Sequence, residues 1–408
     1  VSLLADCLNL TYNGVHYAEE HGIEDRRGMK GFYQTLKRVE LPSCYKVASM
    51  NRACAVVKSR KKSARRGIKV CHPRPLRPVV CIISGFFITM KGRLFIPLRR
   101  DRYLDVQLDK YTVGELAYKK VRSLTMTPDS LSFCYSDDIE PMPVERVYGV
   151  DRNEKNITFG DEEKVTRVEM TKVVKIKQTT REIIGSFKRN DERIRRKLAR
   201  KYSRRATRRT DRILHAATNY IVDSAAKEGA ALAIEDLTGI RRMFHKGSRQ
   251  GAHYRFRLNS WPHWKAKRML EYKAAWNGVT MIQLTKSATY GSSSTCSACG
   301  EKLHGPPKED VAHRRMLRCQ ACEVWMDRDV NAALNLSARG RSRFDRSLSS
   351  RPKTRGEEES RSQQPTSSSS PIEKEKGLAS EAKTGNGATT LILRVDASKL
   401  TRRREPMS

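Results

Sequence analysis

Long apolar runs are what this chain lacks. No stretch of its 408 residues reaches the roughly 18 apolar positions that a bilayer-crossing helix needs, so no membrane-spanning helix is expected. The longest apolar stretches lie near 78–89 and 230–234, and they suit buried strands. The first ten residues, VSLLADCLNL, have neither a basic n-region nor a cleavage site, so secretion is not expected. Acid is also scarce: 45 Asp and Glu stand against 81 Lys and Arg, a formal charge of +36. Such an imbalance strains a compact fold by self-repulsion unless a polyanion neutralises it, so nucleic acid is the first partner to consider. A basic membrane-surface binder would need an amphipathic anchor or a lipidation signal, and the sequence has neither.

Cysteine is sparse over most of the length. Cys7, Cys44, Cys54, Cys71, Cys81 and Cys134 are scattered and are expected to be small buried hydrophobes. The other four of the ten form two C-x-x-C pairs, a reducing-compartment pattern with one metal site rather than a disulfide framework. Hydrophobic residues at 38%, with four Trp and 14 Tyr, exclude a wholly disordered chain, and the length suggests two or three domains.

Residues 1–143 read as a helical segment, broken by HPRPLRP at 72–78, then short strands with hairpin turns at Lys91-Gly92 and Pro128-Asp129, suggesting a small antiparallel barrel. From 144 to 336 the predicted order is three strands (the third around VTRVEMTKVVKI), a long helical region over about 178–229, the strand ALAIEDL and a Trp-bearing helix. The strand VTMIQL, the cysteine module at about 292–326 and a short helix, DVNAALNL, complete it. This is the order of an RNase H-like α/β layer. Trp261, Trp264 and Trp276 share one stripe and are expected in the core. Residues 337–408 are Arg-, Ser-, Glu- and Pro-rich and read as a mostly disordered tail, with TTLILRV near 390 able to add an edge strand.

Three constellations carry chemistry. Cys296, Cys299, Cys319 and Cys322 offer the four thiolates of a closed tetrahedral Zn²⁺ cage, with no open position and therefore a structural role. His304 and His313, inside the intervening loop, are expected to be loop residues rather than ligands. Asp151 ends one predicted strand, Glu235 interrupts a strand of Ala, Leu and Ile, and Asp329 opens a helix. Three acids brought together repel one another unless Mg²⁺ or Mn²⁺ sits between them, and paired divalent ions can drive phosphodiester hydrolysis. The alternative is three unrelated features, with Asp329 a helix cap. Between 188 and 212, thirteen of 25 residues are Lys or Arg, including Lys188, Arg189, Arg193, Arg196, Lys197, Arg200, Lys201, Arg204, Arg205 and Arg208, opposite an apolar stripe. A solvated helix normally mixes signs to gain i,i+4 pairs; this ridge suits a phosphate backbone.

At these residues the chain resembles the TnpB (OrfB) family of insertion-sequence proteins, RNA-guided DNA nucleases related to type V CRISPR effectors. The resemblance rests on GVDRNEKN at 149–156, AIEDL at 233–237, SSSTCSACG at 292–300 and DRDVNAALNL at 327–336. It implies a RuvC-like nuclease domain with a zinc-ribbon insertion, preceded by a β-barrel (wedge) domain with a helical recognition insertion. By position, Asp151, Glu235 and Asp329 match its catalytic acids. It further implies a guide RNA transcribed from the transposon end, a DNA target recognised by heteroduplex shape and a short flanking motif, and an archaeal or bacterial cytoplasm. Two positions depart from the pattern: Asn153 and Glu323 stand where glycine is usual. A non-catalytic accessory on the same scaffold and a strand-joining transposase remain the alternatives.

Overall fold

The computed structural model describes residues 2–99, 101–187, 192–245, 247, 250–306, 315–349, 389–396 and 401–402. They form two compact units, residues 1–138 with 387–408, and residues 139–386. The fold is mixed α/β.

In the first unit, α1 (Ser2–Glu20), α2 (Lys30–Thr35) and α3 (Ser43–Ala64) come first. Leu10, Val15 and Ala18 of α1 pack against Met50, Ala53 and Val57 of α3, spacings that put one apolar stripe on each helix. Two four-stranded antiparallel sheets follow. One has the order β1 (Val80–Ile82), β5 (Lys120–Met126), β6 (Ser130–Asp137), β14 (Thr389–Asp396). The other has the order β15 (Thr401–Arg402), β4 (Arg102–Gln107), β3 (Arg93–Arg99), β2 (Phe87–Ile88), with α4 (Lys110–Leu116) after β4. Both hairpin turns lie where the sequence puts them: Gly92 takes the left-handed φ of 73°, and Thr127 N–H donates to Ser130 O at 2.9 Å. Among the scattered cysteines Cys7 and Cys54 are buried, but Cys71 and Cys81 are exposed. Cys81 sits mid-strand in β1, where alternation turns it outward between buried Val80 and Ile82.

The second unit is built on a five-stranded sheet of order β11-β10-β7-β8-β9, comprising β7 (Arg146–Arg152), β8 (Asn156–Gly160), β9 (Val165–Glu169), β10 (Ala230–Glu235) and β11 (Met281–Leu284). β7, β8 and β9 are antiparallel neighbours, while β10 runs parallel to both β7 and β11. α5 (Thr171–Ser186), α6 (Glu192–Lys227), α7 (Ala252–Ser260) and α8 (His263–Trp276) lie between β9 and β11. α9 (Lys286–Thr289), β12 (Met316–Arg318), β13 (Trp325–Asp327) and α10 (Arg328–Ser349) follow. Tyr148, Val150, Leu232 and Ile234 turn one sheet face onto Leu214 and Ile221 of α6 and Leu270 and Ala274 of α8. Fully burying side chains of this size stabilises by about 1.5–3 kcal/mol each. The opposite face, with Val147, Ala231 and Ala233, receives Leu336 of α10.

Several expectations are corrected here. VTRVEMTKVVKI is not one strand: β9 stops at Glu169 and α5 begins at Thr171, with Met170 and Val173 wholly buried. Tertiary burial overrides the β-branched bias of that run. Trp264 is 67% exposed, because α8 starts at His263 after Pro262 and Trp261 therefore lies outside the helix on which the two were aligned. The last helix is not confined to DVNAALNL but reaches Ser349, past the boundary set at 337, and β14 pairs along β6 from Thr389 to Asp396. Of the ridge, Lys188 and Arg189 lie outside the described residues, as does His313.

Candidate functional site

Strand pairing brings two of the acids together before any side chain is considered. β10 and β7 are parallel with Ile234 opposite Val150, so Glu235 and Asp151 are the next residues on adjacent strands, at their C-terminal ends. Alternation sends Val150 and Ile234 into the core, and Asp151 and Glu235 onto the face that α10 covers. The helix approaches that face closely because Gly149 leaves room: a methyl group there would lie 2.0 Å from Ala333 O and 2.5 Å from Ser337 N. Ser337 Oγ in turn donates to Val147 O at 2.5 Å. The first turn of α10 then presents Asp329, only 2% exposed, and Asp151, Glu235 and Asp329 line one cavity of about 450 Å³.

The electrostatics follow from this crowding. Burial, then the charges of Glu235 and Asp329, push the Asp151 carboxyl up to about 7, against the hydrogen bond from Asn153 Nδ2 at 2.5 Å. Burial raises Glu235 as well, opposed by the Arg152 guanidinium, which donates to Glu235 O at 2.6 Å. Asp329 Oδ2 accepts from Asn156 Nδ2 at 3.0 Å and pairs with Arg315, with Arg167 Nη2 at 3.9 Å. Asp329 is not the helix cap. That task falls to Asp327, which accepts from the backbone N–H of Asp329 at 2.8 Å and of Val330 at 3.3 Å and binds Arg167 at 2.7 Å. Burial alone would raise the Asp327 carboxyl, but Arg167 and these two N–H groups hold it below its ordinary value. Asp329 is thus spared from capping and shares a cavity with two other carboxylates, but among the described residues only the four cysteines, and not these acids, bring their ligand atoms close enough together to hold an ion.

The four cysteines converge. Their Sγ atoms all lie within 4.8 Å of one another, with Cys296 to Cys322 at 4.0 Å and Cys299 to Cys319 at 3.4 Å. Tetrahedral zinc with bonds of about 2.3 Å sets its sulfurs about 3.8 Å apart, so the cage fits. The knuckles close through Cys296 N–H to Glu301 O at 2.7 Å and Cys319 N–H to Val324 O at 3.0 Å. Glu323 takes φ 56°, the left-handed region in which glycine is at ease, which is why glycine is usual at that position. Asn331 and Asn335, inside DVNAALNL but without an assigned role in the sequence reading, tie this module to α10. Asn331 Oδ1 accepts from Ser297 N–H at 2.9 Å, and both side-chain amides donate to Thr295 O at 2.8 Å. The cysteine module therefore braces the start of α10, the turn that carries Asp329. His304 contributes a backbone bridge to Arg318 and no ligand atom to the cage.

On α6, Arg196, Lys197, Arg200, Lys201, Arg204, Arg205 and Arg208 are exposed, while Arg193 is described only through its backbone. Arg205, Arg209 and Arg212 join Lys172 and Lys175 of α5 along a groove of about 550 Å³.

A protein-family model described as "Cas12f1-like, TNB domain" matches residues 263–336, the stretch from the start of α8 through the cysteine cage to α10. A TnpB-like protein of Methanocaldococcus jannaschii is 31% identical over 242 residues, covering 55% of this chain and 77% of that protein. The chain belongs to the TnpB-like family. A protein of Streptomyces pristinaespiralis that carries the provisional name RNA-guided DNA endonuclease is 30% identical over 218 residues, 52% of this chain and 49% of that one. Among solved structures, a chain of the Cas12f1–sgRNA–target DNA complex aligns over 82% of this chain and 80% of its own, at 11% identity and a TM-score of 0.47. No helix among the described residues is long and apolar enough to cross a membrane.

Proposed function

We propose that the chain is a transposon-encoded, RNA-guided DNA endonuclease that hydrolyses phosphodiesters in an RNase H-like, RuvC-type domain. One observation carries the reading: Asp151, Glu235 and Asp329, from two parallel strands and a helix distant in sequence, line one cavity. The sheet order, three antiparallel strands followed by two parallel ones, supports the fold assignment. The four-cysteine cage supports a zinc ribbon inside that domain, and the two antiparallel sheets of residues 80–137 with β14 and β15 support a wedge barrel. The names of the relatives, one an RNA-guided DNA endonuclease, support RNA and DNA as partners. An archaeal or bacterial cytoplasm is the compartment that agrees with their sources.

Asp151, Glu235 and Asp329 would hold Mg²⁺ or Mn²⁺, which supply the Lewis acidity that makes water a nucleophile and stabilises the leaving oxygen. Asn153 orients the Asp151 carboxylate, while Asn156 and Arg315 fix that of Asp329. The cations of α6 and the groove beside it would hold phosphates, and the guide from the transposon end would supply sequence selection by base pairing.

The test is to co-express the chain with its flanking DNA, sequence the RNA that copurifies, and assay a target library for Mg²⁺-dependent cuts. Asp329→Ala is expected to lower the cleavage rate at least 10²-fold while RNA and DNA retention stay close to wild type. Normal cutting by Asp329→Ala would refute the assignment. Strand joining in place of hydrolysis would move the chemistry to transposition.

A further inference from the structure

A second, larger cavity shares a wall with the acidic one. It encloses about 710 Å³, within the range of small-ligand sites, and its lining includes Lys177, Arg241, His263, Trp264, Lys265 and Lys267. Arg152, Leu237, Ile240 and His263 border both cavities, so one partition separates this space from the three acids. His263 in that partition is 9% exposed, and its ring nitrogens make no well-formed hydrogen bond among the described residues, only a weak interaction with the Leu258 backbone. Buried polar atoms of this kind are costly unless a ligand completes them. Trp264 presents its ring to the outside at 67% exposure, with the Arg268 guanidinium 5.1 Å from the ring centroid on one face. Lys265 is bound to Asp211 at 2.6 Å and Lys267 lies 3.5 Å from Glu271. Lys177 is pushed below its ordinary value by burial and by the charge of Lys265, with Asp211, which also lines the cavity beside Asp236 and Glu271, acting in the opposite direction.

We propose that this cavity is a nucleotide subsite, seating one unpaired nucleotide of the DNA strand beside the scissile phosphate, with its base stacked on Trp264 and its flanking phosphate facing Lys177 and Lys265. The location rests on the nuclease reading above; the ligand chemistry does not. An exposed indole beside cations is the combination that holds single strands, because an unstacked base offers its π-face while a base inside a duplex has both faces covered by its stacked neighbours. His263 donates to or accepts from the sugar-phosphate through a ring nitrogen that otherwise makes no well-formed hydrogen bond.

The experiment uses the full chain with its copurified RNA, in the Asp151→Asn background without added Mg²⁺, so that no cutting is needed. Single-stranded DNA carrying 2-aminopurine at successive positions is titrated by fluorescence. One position is expected to be quenched on binding. Trp264→Ala should abolish that quench and weaken binding about 5-fold or more, Trp264→Phe should keep both, and Lys177→Glu should weaken binding and reduce its salt dependence. Because Trp264 is exposed, the melting temperature should not move; should Trp264→Ala unfold, the Phe and Lys177 variants decide. Wild-type quench and affinity in Trp264→Ala, or in Lys177→Glu if that variant must decide, would overturn the subsite. So would an RNA strand of the same sequence that depends on Trp264 equally, which would give the cavity to the guide. A Trp264-dependent quench in a chain that never cuts any target retires the nuclease reading and keeps the subsite. Wild-type cutting with no Trp264 dependence does the reverse.

Discussion

Gly149→Ala is the sharpest probe of how the site is assembled. Its methyl group would stand 2.0 Å from Ala333 O, about 1.4 Å short of ordinary contact, and 2.9 Å from Leu336 Cβ. Two of the atoms it meets are backbone of α10, so no side-chain rotation relieves the clash; helix and strand must separate. Overpacking of this kind costs about 1–3 kcal/mol, or about 2–12 °C in melting temperature for a unit of this size. The activity loss should be larger than the stability loss. Asp151 is two residues along β7 from the methyl, and Asp329 is one turn before Ala333, so the displacement opens the gap between acids directly. A misplacement of about 1 Å in a preorganised site costs about 10²-fold in rate. The control is Gly185→Ala in α5, where nothing lies within 4 Å and helix propensity favours alanine. Scanning fluorimetry and single-turnover cleavage read the two quantities. If Gly149→Ala melts and cuts as wild type, the proposed packing of α10 on β7 is wrong.

Other perturbations follow from the same geometry. Cys299→Ser, or chelation, should remove one equivalent of zinc by elemental analysis and lower cleavage sharply, because Asn331 and Asn335 join the cage to the helix bearing Asp329; full activity without zinc would break that coupling. Glu323→Gly should relieve the left-handed residue beside Cys322 and raise stability by about 1 kcal/mol, measured as a higher melting temperature with zinc content unchanged. His263 is held down to about 4 by burial and by Arg152 and Arg241, so its contribution is present above its unfolded value near 6.5 and is lost as pH falls from there towards 4. Asp151, pushed up to about 7, acts with the opposite sign, so the informative quantity is the difference in melting temperature between wild type and His263→Asn across that window; a pH-independent difference would contradict the burial argument.

The acids and cysteines are legible in the sequence because their chemistry is local. A carboxylate inside ALAIEDL has no apolar reason to be there, and two C-x-x-C pairs have one common use. Their partners are not legible. Asn156 reaches Asp329 across 173 residues, and His263 is a lone imidazole whose place between two cavities follows only from the loop after β10 meeting the start of α8. The error at Trp264 has a specific cause: a stripe through Trp261 and Trp264 crosses Pro262, which begins the helix and puts Trp261 out of phase with it. The extent of α10 is hidden for another reason, since the Arg- and Ser-rich composition from 337 onward reads as a tail, although the helix runs on through Gly340. In the fold that glycine is a contact point, where a methyl group would lie 2.4 Å from Ala233 Cβ.

The pairing of β14 along all of β6 has a consequence for how the chain is made. On the ribosome, Asp137 emerges long before Thr389; at about 5–20 residues per second the roughly 250 intervening residues take about 10–50 s. For that interval the outer edge of β6 has no neighbour of its own, while the strands that surround the acids can already join. The β6 strand must wait for a partner made about 250 residues later, and a ribosome that stalls in between releases a product with an open, adhesive border.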